Sequence, residues 1–150
     1  MENVKAIVKQ VVKIWRLYKT QQQLLTEAMR AEIPFELRKL LSRDYMICSL
    51  LKKEMANLYD GLRCCMGDVY RIRPESGTAD FPNGIEHTLE KITITHRQIL
   101  EEYAVLLDLA EETNINTAII HQHQKQMSGM EHELLAQSSP QTGILPVTYS

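Results

Sequence analysis

The sequence is short of the features that mark specialised chains. It has three cysteines in 150 residues, Cys48, Cys64 and Cys65, an odd number with two adjacent. Neighbouring cysteines rarely bridge, because a disulfide needs well-separated Cα atoms and a suitable dihedral. No framework of spaced pairs remains, so a reducing compartment is expected. A Cys-x-x-Cys zinc motif is absent as well. No stretch approaches the ~20 apolar residues that a membrane span needs. Lys5, Lys9 and Lys13 interrupt every apolar run near the N-terminus, which leaves no signal-peptide core. These absences together point to a cytoplasmic location.

Chemistry-bearing motifs are equally scarce. Gly61 and Gly67 lie in a helical stretch without the Gly-Lys-Ser/Thr ending of a phosphate-binding loop. Ser, Cys and His form no legible nucleophile pattern, and Cys64-Cys65 reads as one core thiol beside one surface thiol. An excess of one charge is missing too: 17 Lys+Arg stand against 19 Asp+Glu, a formal net of -2. A dedicated nucleic-acid binder is usually strongly basic, so nucleic acid is not an expected partner.

What is present is helical periodicity. A hydrophobic content of 44% with 24% charged residues describes one ordinary globular domain. Ile33-Pro34, the turn-rich run from Arg73 to Gly84, and Thr113-Asn114 divide the chain. The predicted helices are 2–31, 35–72, 84–112 and 114–137, with 138–150 as a flexible C-terminal tail. In the first, Val4, Val8, Val11, Trp15, Tyr18, Gln22, Leu25 and Met29 alternate steps of four and three, a heptad seam. The others carry the same period, most weakly the last. Only Ile92-Thr93-Ile94-Thr95 has strand-like alternation, and it sits inside a helical seam.

Short turns near 33 and 113 imply two helical hairpins. Twelve loop residues reach ~40 Å, less than the ~55 Å of a 38-residue helix, which disfavours a full-length crossover. The prediction is therefore all-α: an antiparallel up-down-up-down four-helix bundle made of two helical hairpins, in one domain over 1–137.

Polar residues at seam positions are the candidate site. Gln22, Asp44, His96 and His123 interrupt otherwise apolar seams. Gln22 and Asp44 are equidistant from the first turn, and Tyr103 and His123 from the second. With both turns at one end, Gln22, Asp44, Tyr103 and His123 share a layer, with Glu102 adjacent. Such a layer is either a hydrogen-bonded device fixing register or a metal centre, since carboxylate and imidazole suit iron or manganese. The general shape resembles a ferritin-like bundle. The two Glu-x-x-His motifs of its di-metal members are missing, however, and His87, His96, His121, His123 and His132 all fall in the last two helices. The run His121 to Gln126 otherwise reads as a solvated face.

Two surface features complete the reading. Lys5, Lys9, Lys13, Arg16 and Lys19 form a basic face on the first helix, opposite Trp15 and Tyr18. Such a helix can rest on an anionic membrane as a peripheral module, though an even seam fits helix packing better. Charge is also unevenly spread. Residues 1–73 carry 14 basic and 8 acidic side chains, and residues 74–150 carry 3 and 11. That asymmetry, with methionines on the seams, predicts a non-enzymatic interaction or structural protein that binds a protein partner or a second copy of itself. A metal-binding bundle and a membrane-associating module are the alternatives.

Overall fold

In a computed structural model, residues 2–66 and 84–138 are described. They form four helices: α1 (Glu2–Arg30), α2 (Phe35–Met66), α3 (Ile85–Glu111) and α4 (Ala118–Ser138). No strand occurs among the described residues. Thr93 and Thr95 sit within α3, where their hydroxyls donate to the carbonyls of Leu89 and Lys91, at 3.2 and 2.8 Å. These local bonds let β-branched residues sit in a helix that the seam requires. α2 continues unbroken through Gly61. The expectations that involve 67–83, residues 139–150 and the side chains of Cys64 and Cys65 lie outside the described residues.

The ends are set by identifiable groups. Arg38 donates to the carbonyls of Met29 and Ala31, the latter at 2.9 Å, and so satisfies the last turn of α1 from the first turn of α2. Replacing Arg38 with Ala should cost about 1 kcal/mol of stability, read as a lower midpoint in urea unfolding. Gly84 precedes α3 at a φ of 89°, a conformation that glycine adopts without a Cβ clash. The second turn is longer than predicted. Thr113 Oγ1 donates to the Ala110 carbonyl at 2.9 Å to close α3, and Asn116 Oδ1 accepts from the Ala118 amide at 2.9 Å to open α4. Asn116, beyond the Thr113-Asn114 break, supplies the cap.

The helix order corrects the predicted topology. α1 packs on α2 and α3, and α4 packs on α3 and α2, so α2 and α3 stand at opposite corners. Gln10 bonds Glu102, and Gln21 bonds the carbonyl of Ile92, so α1 and α3 run antiparallel. Arg43 pairs with Glu133, and Glu54 with His123, so α2 and α4 do too. The order is therefore up-down-down-up, not up-down-up-down, and the two short turns lie at opposite ends. Met66 and Ile85 are at opposite ends as well. The 18 residues between Met66 and Ile85 can reach ~60 Å, more than the ~48 Å of a 32-residue helix.

The core follows the seams. Ile7, Val11, Ile14, Leu25, Leu41, Leu51, Met55, Ile92, Ile99, Leu106, Ile120 and Met127 are fully buried. Into this apolar interior the sequence sends an unusual set of polar side chains.

Candidate functional site

Two separate polar clusters occupy the core. Because the two turns lie at opposite ends, the expected single layer of Gln22, Asp44, Tyr103 and His123 does not form. Its members are distributed over two heights, about ten residues or ~15 Å apart along α2.

The first cluster joins the diagonal helices through the centre of the bundle. Asp44 on α2 and His96 on α3 are both wholly buried, with His96 Nε2 2.8 Å from Asp44 Oδ2. One turn along α2, Cys48 Sγ donates to Asp44 Oδ1 at 3.4 Å. Both carboxylate oxygens are thus used. Burial, and next the adjacent Asp44 charge, push the Cys48 thiol well above its ordinary pKa, so it stays protonated and inert as a nucleophile. His96 Nδ1 is buried without a hydrogen-bond partner among the described residues.

The second cluster draws one side chain from each helix. Tyr18 (α1) lies with its hydroxyl 2.7 Å from that of Tyr103 (α3). The Tyr103 hydroxyl is 2.6 Å from His123 Nδ1 (α4), and His123 Nε2 is 2.5 Å from Glu54 Oε1 (α2). The rings meet edge to face, Tyr18 to Tyr103 at 6.2 Å between centroids and Tyr103 to His123 at 5.5 Å. Burial lowers the His123 pKa, against the opposing pull of Glu54. A neutral His123 gives the chain one consistent direction. Tyr18 donates to Tyr103, Tyr103 donates to Nδ1, and Nε2–H donates to the Glu54 carboxylate. Burial is also the main cause raising both phenol pKa values, so the donors hold their protons. Three of the four residues are fully buried, and Glu54, about a third exposed, is the link to solvent. The four groups form one hydrogen-bonded row from the partly exposed Glu54 to the centre of the bundle, each fixing the orientation of the next.

The remaining expected site residues lie elsewhere. Glu102 turns toward α1, where Gln10 Nε2 donates to its side chain at 2.6 Å and Lys13 pairs with it at 3.2 Å. The Gln22 side chain is at the edge of the core, facing a surface hollow. Asp44, Glu102 and His123 do not converge. Among the described residues no group of three or more His, Cys, Asp and Glu is placed to share a metal ion. Of the basic face, Lys9 and Lys13 are exposed and Lys5, Arg16 and Lys19 half-buried. Tyr18, on the opposite side of that helix, is committed to the core. No described helix is long and apolar enough to cross a membrane. His87, His121 and His132 are exposed.

Sequence reasoning missed Tyr18 and Glu54 as partners and missed Gln21, wholly buried with its Nε2 donating to the Ile92 carbonyl at 2.9 Å. Tyr18 and His96 were visible as seam residues. Glu54, beside the seam residue Met55, carried no such signal.

No family model, curated protein or solved structure matches the chain.

Proposed function

We propose that this chain is a non-enzymatic helical-bundle protein that acts through protein–protein contacts, first of all with a second copy of itself. The observation that carries this reading is a pair of complementary outer faces at opposite corners of the bundle. The outer side of α2 exposes Phe35, Met46 and Leu50, by 71%, 70% and 51%. Exposed Lys39, Arg43 and Lys53 flank them. The outer side of α3 exposes Ile94 and Val105, by 46% and 44%, among exposed Glu90, Glu101, Asp108 and Glu112, an acidic excess over the exposed Lys91 and Arg97, the latter paired with Glu131. Large apolar side chains left in water and ringed by charge are the usual make-up of a contact surface. Opposite charge lets α2 of one copy meet α3 of the next, with methionine supplying adaptable packing. Lys39 also pairs with Glu36 and Arg43 with Glu133, which tempers the positive face without cancelling it. Such a contact is heterologous, so it forms a ring or an open chain rather than a closed twofold dimer.

Sedimentation velocity over a concentration series tests this. Species larger than the 17.3 kDa chain should grow with concentration and recede as salt rises. A strict monomer at every concentration in low salt would count decisively against it.

A second reading, a ferritin-like bundle holding iron or manganese, draws on the helix order. A single long connection between the second and third helices is the connectivity of ferritin-like bundles, although the two Glu-x-x-His motifs of their di-metal members are missing here. Glu54 and His123 would be its metal-facing pair. Elemental analysis of untagged protein after iron or manganese loading discriminates: about one or two ions per chain supports it, and a small fraction of an ion removes it.

A further inference from the structure

We infer that the groove between α1 and α2 around Trp15 binds a small amphipathic anion, with its apolar body in the groove and its charged head at Lys19 and Lys52. This site is independent of the self-association surfaces. An apolar cleft of about 210 Å³ is lined by Val11, Val12, Trp15, Met55, Ala56 and Tyr59, with Asp60 at its rim. Val11 and Met55 in its wall are fully buried, so the cleft reaches down to the core. At its other end stands Trp15, with the ammonium of Lys19 5.9 Å and that of Lys52 5.8 Å from the ring centroid. Two cations from two helices thus gather on one indole.

Neither ammonium forms an ion pair among the described residues. Both line a second, polar hollow of about 360 Å³, shared with Gln22, Thr26 and the Tyr45 side chain. The carboxylate in that hollow, Glu27, is engaged by Arg30 at 3.4 Å. Apolar cleft, indole, paired cations and polar hollow therefore follow one another along the α1–α2 seam. The polarity is fixed as well: positive at Trp15 and negative at Asp60. An anionic head is drawn to the lysine end, and an apolar body laid from there toward Tyr59 runs about 10 Å, seven residues of α2. A medium-length aliphatic carboxylate matches that shape. A bare anion would forgo the cleft, and a cation would meet two ammonium groups.

Trp15 is the single tryptophan of the chain, so its fluorescence reports on this site alone. Titration of the full chain with decanoate should give a saturable emission change. Acetate at the same concentrations should give none, and decylammonium should bind at least about tenfold more weakly. The double variant K19Q/K52Q should lose at least about tenfold in decanoate affinity, as expected for bonds to charged groups, with unchanged helical circular dichroism. In W15F, calorimetry should still detect binding, which separates loss of signal from loss of site. No saturable change with decanoate would overturn the inference. So would equal binding of decylammonium, or full affinity in K19Q/K52Q.

Discussion

Asp44→Ala should destabilise the bundle by about 2–4 kcal/mol, because two buried groups, His96 Nε2 and Cys48 Sγ, lose their partner and each such loss costs about 1–3 kcal/mol. The Asp44 side chain is wholly buried, accepts from both His96 and Cys48, and joins the two helices that stand diagonally across the bundle. Its loss leaves His96 Nε2 without an acceptor in an apolar interior, beside an Nδ1 that already lacks one. Urea denaturation followed by circular dichroism measures the effect as a lower midpoint with an unchanged slope. The double variant D44L/H96L provides the contrast. It removes both polar groups, so it should recover most of the loss. If Asp44→Ala were nearly neutral, the pair would not be holding the diagonal helices.

Tyr103→Phe should cost about 2–4 kcal/mol, although it removes a single oxygen. Tyr103 is the middle of the row: its hydroxyl accepts from Tyr18 and donates to His123. Without it two buried polar atoms lose their partner, and each such loss costs about 1–3 kcal/mol. Tyr18→Phe, at the end of the row, leaves every other donor satisfied and should cost less. The ordering Tyr103 above Tyr18 is the discriminating result, because burial and ring contacts alone would make the two changes alike.

The same row sets the response to pH. The folded-state pKa of His123 is depressed, chiefly by burial. Its stability contribution is therefore complete above the unfolded histidine value of about 6.5. It is lost as pH falls through the lower folded value, because protonation puts a charge into the core and abolishes the Nδ1 acceptor. The tyrosines act in the opposite direction. Their folded pKa values are raised, so their contribution is complete below about 10 and declines as pH rises toward the folded values. Urea midpoints between pH 5 and 7 should fall on the acid side in the wild type. They should fall less in His123→Phe paired with Glu54→Leu, which has no histidine at that place to protonate.

Much of this was legible in the residues, and the limits have physical causes. The heptad seams placed all four helices, because a 3.6-residue period survives any arrangement of the helices around it. Asp44, His96 and His123 stood out because a polar residue on an apolar seam must be buried with it. Which of them meet depended on helix order, which a seam pattern does not encode. The antiparallel contacts of α1 with α3 and of α2 with α4 place the two turns at opposite ends. Equal distances from the two turns then no longer mean equal heights. That is why Asp44 finds His96, while Tyr103 and His123 find Tyr18 and Glu54. The surface was partly legible as well: the charge difference between the two halves appears as opposite net signs on α2 and α3. The apolar residues within those faces were visible only once the helices were packed.

The central functional claim is that one outer face docks on the other between copies. It is tested most directly by mixing two broken chains. One carries Met46→Glu and Lys53→Glu on α2, and the other Ile94→Lys and Glu101→Lys on α3, all at exposed positions. Each alone retains one sound face and should sediment as a monomer. Mixed in equal amounts they should form at least a dimer, since the two sound faces meet; any longer species then comes from the altered faces, which carry opposite charge. Two monomers that ignore each other on mixing, or either variant still associating alone, would contradict the account.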